Sequence, residues 1–277
     1  MQLLTIDNDP KTSKGRKFGY LTGVQYLAPE KLASEQFGKL INLCPFASLG
    51  CADACLNTAG RGVFSDVQQA RINRTILLMT DRSTYWTKLV KEIKALDRKA
   101  KRENLIPVVR PNGTSDLKWE SMPVVIGGVK LANNIMELFP NVQFMDYTKY
   151  PYHKRPTESL PSNYDLTFSR SESNEIEALE NLWNDRRVAV VFSSKKDDPI
   201  PEIYTIKVDS TLIRELPSNR MLSITTDWES YCNGLILVPV VNGDESDLRF
   251  LDPQGVIVHL YAKGKARKDT SGFVVQV

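Results

Sequence analysis

Short apolar runs alternate with helical periodicity along most of the chain. Phe18–Leu27 reads as a first strand, ended by Pro29, and a helix is predicted over Glu30–Ile41. Asp66–Met79 carries a helical pattern, and a stronger one starts at Ser83, a suitable N-cap, and runs to Arg102. There Trp86, Leu89, Val90, Ile93 and Leu96 recur at helical spacing, while Lys88, Lys91, Glu92 and Lys94 fill the other face. Leu105–Arg110, Val142–Tyr147, Tyr164–Ser169, Val188–Phe192, Leu235–Val241 and Gly255–Tyr261 read as strands. Helices are predicted between them at Leu131–Phe139 and after Asn174, where Ile176, Leu179, Leu182 and Trp183 share a face.

Strands alternating with helices build βαβ units and a parallel sheet. Near-continuous apolar strands are those covered on both faces. This rhythm predicts an α/β fold, a full or partial TIM-like (β/α) barrel, as one domain over residues 1–277. The segment 197–233 breaks the rhythm with Pro199, Pro201 and Pro217. It reads as an insertion packed on the barrel, with a hairpin of Ile203–Val208 and Met221–Thr225.

Composition changes this picture little. A hydrophobic fraction of 42% and a charged fraction of 25% are ordinary for a globular chain. No stretch approaches the ~18 apolar residues of a membrane span. Met1–Ile6 runs directly into Asp7, Asp9 and Lys11 with no apolar leader, so a cytoplasmic protein is expected. The net charge is only +3, but its distribution matters. The bases of Lys88–Arg102 form the solvated face of a helix. Lys263, Lys265, Arg267 and Lys268 instead follow a buried strand, where they are candidates to meet the phosphates of a nucleotide or nucleic acid.

The cysteines carry the sharpest chemistry. Cys44, Cys51 and Cys55 fall within the loop 42–62, while Cys232 is far away in sequence. A lone cysteine most often fills space in a core. Three in so short a Gly-rich stretch, in a reducing compartment, read as thiolate ligands rather than disulfide partners. Such a set suits a metal or an iron–sulfur cluster with one open coordination position.

In α/β barrels the chemistry sits at the C-terminal ends of the strands. Here those ends carry Ser115 and Asp116, then Asp146, Thr148 and Lys149, then Ser169, Arg170 and Ser171. Ser193 and Ser194, Asp244 and Asp247, and Lys263 follow. Together they describe a charged mouth able to hold a carboxylate, a ribose or a phosphate. His259 lies inside a strand; His153, in a Pro-flanked loop, is a candidate fourth ligand for a Cys₃His zinc site. The chain has no P-loop, G-x-S-x-G or H-E-x-x-H, and two histidines argue against a Ser–His or Cys–His hydrolase.

The runs C-P-F-A-S-L-G-C-A-D-A-C-L-N-T-A-G-R-G, T-S-D-L-K-W-E, F-M-D-Y-T-K-Y-P and G-D-E-S-D-L-R-F-L-D-P-Q-G resemble a phage family named for mycobacteriophage gene product 88. The resemblance spans most of the chain outside 197–233. The motif order is also similar to a radical-SAM-like family of phages and bacteria. The matching positions are Cys44, Cys51 and Cys55, then Ser115-Asp116-Leu117, then Thr148-Lys149 before Tyr150-Pro151. The usual radical-SAM spacing is C-x3-C-x2-C with an aromatic residue before the last Cys. Here it is C-x6-C-x3-C, Ala54 precedes Cys55, and no G-G-E-P-type run is present.

That second resemblance implies a [4Fe–4S] cluster on Cys44, Cys51 and Cys55, with S-adenosylmethionine on the open iron. Ser115, Asp116, Thr148, Lys149, Ser169 and Arg170 would bind the cofactor, and Asp116, Lys149, Asp244 and Asp247 would carry catalysis on a nucleotide or nucleic acid. Two other readings compete. One is a transglycosylase-like base exchange, with Asp116 and Asp244 or Asp247 acting at a ribose and zinc held by the cysteines and His153. The other is a non-enzymatic phage protein with a structural metal.

Overall fold

A computed structural model describes residues 1–7, 10–207 and 235–277. The strands are β1 (Leu4–Ile6), β2 (Tyr20–Gln25), β3 (Ile106–Arg110), β4 (Val124–Ile126), β5 (Val129–Ala132), β6 (Gln143–Thr148), β7 (Tyr164–Ser169), β8 (Val188–Phe192), β9 (Ile203–Lys207), β10 (Leu235–Asn242), β11 (Ile257–Tyr261) and β12 (Val274–Val275). The helices are α1 (Pro10–Lys14), α2 (Glu30–Phe37), α3 (Leu49–Asp53), α4 (Ser65–Thr80), α5 (Arg82–Arg102), α6 (Ile135–Leu138) and α7 (Glu175–Trp183).

One sheet takes up ten strands in the order β1-β2-β3-β6-β7-β8-β11-β10-β9, with β12 also on β8. The run from β2 to β10 is parallel throughout. β1 and β9 close its two margins in antiparallel pairing. This corrects the barrel expectation. A (β/α) barrel needs strands in sequential order that return to the first. Here β11 lies between β8 and β10, and among the described residues the path ends at β1 and β9. Alternating apolar runs specify a parallel sheet with covered faces, but they do not specify which strand lies beside which.

Of the segment 197–233, β9 pairs along its length with Leu235–Pro239 and belongs to the main sheet. Met221–Thr225 lies outside the described residues. The helix expected over Leu131–Phe139 is instead the end of a β4–β5 hairpin followed by the short α6. Gly127 and Gly128, at φ of 57° and 80°, make the left-handed turn that a hairpin requires.

The larger core cluster is organised by α5, which packs on β2, β3 and β4. Asp81, not Ser83, caps α5, its carboxylate accepting from the Thr84 N–H at 3.0 Å. Leu89, Ile93 and Leu96 are buried on the inner face of α5, and each such side chain stabilises the fold by roughly 1.5–3 kcal/mol. A second cluster packs α7 on β7, β8 and β9–β11. These layers fix the sheet and leave the C-terminal strand ends to build a site.

Candidate functional site

A cavity of about 280 Å³ opens at the C-terminal ends of the parallel strands. Arg110 closes β3, Thr148 closes β6 and Ser169 closes β7; all three line it, together with Val191 of β8, Tyr261 of β11 and Gly243 just after β10. In open α/β sheets this is where ligands bind. Cys44, Cys51 and Cys55 line the same cavity. So do Ser115, Asp116, Thr148, Lys149, Ser169, Asp244, Asp247 and Lys263. The sequence-predicted residues therefore converge, although the sheet is not the expected barrel.

The cysteine loop is held by a few specific ties. The Asp116 N–H donates to the Leu43 carbonyl at 2.7 Å, beside Cys44. Ser48 caps α3, accepting from the Cys51 N–H at 3.2 Å and donating to the Glu172 carboxylate at 2.7 Å. The Gly50 N–H also donates to Glu172, at 2.8 Å. A Cβ on Gly50 would meet the Ser271 hydroxyl and a Glu172 oxygen, so a larger residue here would push these two side chains aside. Cys55 starts the next turn, its carbonyl accepting from the Thr58 N–H at 2.8 Å. The Cys44 thiol faces the Thr114 carbonyl at 3.8 Å.

All three cysteines are free and partly buried. Burial pushes the Cys44 thiol well up, helped by the negative charge of Asp116 and the neighbouring thiols. Burial raises Cys51 as well, and the Lys149 ammonium opposes it. Burial outweighs the Lys149 charge at both groups, which favours the neutral thiol.

Under the loop lies a bonded polar network. Asp116 is 6% exposed and accepts from the Lys149 N–H at 2.7 Å, the Thr148 hydroxyl at 3.3 Å and Arg155 Nη1 at 3.1 Å. Arg155 also forks onto Glu120, with both contacts at 2.7 Å, and donates to the Tyr164 hydroxyl at 3.0 Å. Tyr164 in turn donates to Asp146 at 2.8 Å. Burial lifts Asp146 to about 7 against the opposing charge of Arg110. Asn112 joins the two halves. Its N–H and Nδ2 donate to Asp146, while its Oδ1 accepts from Ser115, Leu117 and Trp119.

Lys149 directs Nζ to the Ser169 carbonyl at 2.9 Å, the Ser169 hydroxyl at 3.0 Å and the Arg170 carbonyl at 3.2 Å. An ammonium has three protons, and these three acceptors use them. Its effect on the thiols is therefore that of a fixed positive charge.

Across the cavity, Arg110 donates to Asp247 at 2.6 Å. Asp244 pairs with Lys263 and accepts from the Tyr261 N–H at 2.9 Å. Gly243 permits this turn, because a Cβ there would lie 2.8 Å from the His259 carbonyl.

Several expected members stand elsewhere. Arg170 points to Glu175 and to the Gly272 and Phe273 carbonyls. His153 is exposed and lies 3.6 Å from Glu180, away from the cavity lining. His259 stacks on Phe192 with centroids 4.4 Å apart and meets the Ser194 hydroxyl at 2.9 Å. Cys232 is outside the described residues. Among the described residues no group of three or more His, Cys, Asp or Glu side chains is arranged to hold a single metal ion. Lys265, Arg267 and Lys268 are exposed beyond the lining, on the turn that Lys263 begins.

Asn112, Arg155 and Glu172 organise the site but are not singled out by sequence reasoning. Arg110 had one usable signal, since it ends a strand in a chain whose other strand ends carry the polar groups.

No helix among the described residues is long and apolar enough to cross a membrane. No curated protein and no solved structure matches the chain. The profile of the family described as gene product 88 matches residues 2–277, and the chain belongs to the gene product 88 family.

Proposed function

We propose that the protein is an iron–sulfur enzyme in which Cys44, Cys51 and Cys55 hold a [4Fe–4S] cluster, with S-adenosylmethionine as its co-substrate. The observation that carries this reading is the convergence of three free thiols on the cavity at the strand ends. The donor set fits a cluster better than a lone ion. A tetrahedral zinc draws its sulfurs to about 2.3 Å from one point and takes four protein ligands when structural. Here the three cysteines surround a cavity, and the candidate fourth ligand His153 lies away from it. A cluster distributes its thiolates over several irons and leaves one iron open.

When bound, the cluster would supply an electron to cleave the sulfonium of the co-substrate. The protein's own part is electrostatic and steric. Lys149 sets a fixed positive charge near the thiols and favours their ionised form. Val191, Leu260 and Phe273 give the cavity apolar walls that exclude water. The Arg110–Asp247 and Lys263–Asp244 pairs sit at the lining. They can exchange partners with the carboxylate and ammonium of an amino-acid-like ligand. Asp116 accepts from Thr148, Lys149 and Arg155, which braces the site. The C-x6-C-x3-C spacing sets this loop apart from the usual radical-SAM pattern.

Anaerobic purification with iron, sulfide and zinc analysis tests the reading. Iron and sulfide with broad visible absorption are expected, lost in Cys44→Ala, Cys51→Ala or Cys55→Ala and retained in Cys232→Ala. Zinc without iron or sulfide overturns the reading. Equal loss in Cys232→Ala would establish a fourth thiolate and remove the open iron.

A further inference from the structure

We infer that the mouth of the cavity takes a single-stranded polynucleotide, one nucleotide at the cavity and its neighbours across two banks of the rim. This rests on the proposed enzyme for its chemistry, naming the substrate class, but the surfaces that carry it stand independently of any cluster.

The first bank is aromatic. Phe46 lies two residues after Cys44, and Tyr150 directly follows Lys149. Their ring centroids are 4.6 Å apart, and both side chains are only partly buried, unlike a pair that serves a core. The Lys154 ammonium stands over the Phe46 ring at 4.9 Å and that of Lys118 over the Tyr150 ring at 4.8 Å. An accessible ring beside an ammonium offers a nucleotide both of the contacts it needs. The base stacks on the π-face and the phosphate meets the cation.

The second bank is basic. Lys263, Lys265, Arg267 and Lys268 are exposed, while Ala266 between them is buried against the cluster of Ala54 and Phe273. No described residue forms an ion pair with Lys265, Arg267 or Lys268. Gly264, at φ of 58°, approaches Ala59 so closely that a Cβ would lie 2.9 Å from the Ala59 methyl. The basic turn is thereby fixed to the cysteine loop that also carries Phe46. Phe46 and Tyr150 each adjoin in sequence a residue that lines the cavity, Ala47 and Lys149, and Lys263 and Ala266 of the basic turn line it directly. The cavity, of about 280 Å³ with apolar walls, can admit a single base and excludes a duplex. Bases offer their faces to side chains only when unpaired, so the ligand is a single strand.

Fluorescence anisotropy of labelled dT₁₂, U₁₂ and a 12-base-pair duplex, between 50 and 200 mM salt, tests the inference. Binding of a single strand in preference to the duplex is expected, with DNA and RNA arms separating the two backbones. Phe46→Ala and Tyr150→Ala should each weaken binding about tenfold, while Tyr150→Phe keeps it. Lys265→Ala with Lys268→Ala should flatten the plot of log affinity against log salt by about 1.4, two contacts at about 0.7 each. No binding at 50 mM salt, equal duplex binding, or ring and charge variants that bind as the wild type would overturn it. Iron content measured on the same preparation reports on the cluster alone. Binding without iron removes the cluster and keeps the rim, and iron without binding does the reverse.

Discussion

Asp116, Asp146 and Arg155, beneath the strand ends, are almost wholly buried and bonded to one another through Thr148, Tyr164 and Asn112. The cysteine loop against them leaves Leu49, Leu56, Val63 and Phe64 exposed, Leu49 by 86%. The network is rigid because each charge depends on the next, and breaking one bond strands a buried ion. The loop buries Leu43 and Ala54 and is tied by the Leu43 carbonyl, Glu172 and the Asn57–Arg71 contact. The strand ends are thus more enclosed than the segment that carries the three cysteines.

The largest effect that would break this contrast is on Arg155. Replacing it by Met leaves Asp116 and Glu120 buried without their cation, which should cost about 3–5 kcal/mol in urea unfolding. A loss below about 1 kcal/mol would mean the network is not what holds the strand ends. Asp146 gives a pH-dependent version. Its folded value of about 7 lies above that of an unfolded aspartate. The native state therefore holds an extra proton between pH 4 and 7, and stability falls as pH rises through that window. The stability of Asp146→Asn relative to wild type should then rise by up to about 1.4 kcal/mol per pH unit there and level off above pH 7. A difference independent of pH would show that Asp146 is ionised throughout.

Effects on the loop should be smaller and local. Glu172→Ala removes the acceptor of Ser48 and Gly50 and should cost about 1–2 kcal/mol. Faster hydrogen exchange should be confined to Gly50 and Cys51, and exchange spreading through α5 would deny the loop its independence. Serine at Cys44, Cys51 or Cys55 should change metal-free stability by less than about 1 kcal/mol. A large loss would make these thiols core residues instead of ligands. Leu49→Ser, at the exposed extreme, should stay within about 0.5 kcal/mol.

The sequence shows unevenly what the structure contains. β7 and β8 are legible to the residue, because Tyr164–Ser169 alternates apolar and polar residues and Val188–Phe192 is a continuous apolar run, each bounded by polar turns. The place of β11 between β8 and β10 is not legible, since strand order follows from the packing of connections and leaves no local mark. The same division runs through the site. Cys44, Asp116 and Lys149 are found because each ends a strand or stands in a compact motif. Arg155 and Glu172 are missed because their partners lie far off in sequence, 39 residues away at Asp116 and 124 at Ser48. A polar residue with a distant partner looks like any other loop residue until the chain folds.

The short strand β12 has a consequence in time. β7 pairs with β8 at Val188 and Ala189, and β12 takes over that flank at Val191 and Phe192. It brings Phe273 to the cavity wall. The ribosome makes Cys44 about 230 residues before Val275, an interval of roughly 10–50 s at 5–20 residues per second. Throughout that interval the nascent chain carries its sulfurs beside a wall that does not yet exist. Synthesis itself thereby sets the order of events, with the cysteine loop emerging early and its enclosure last.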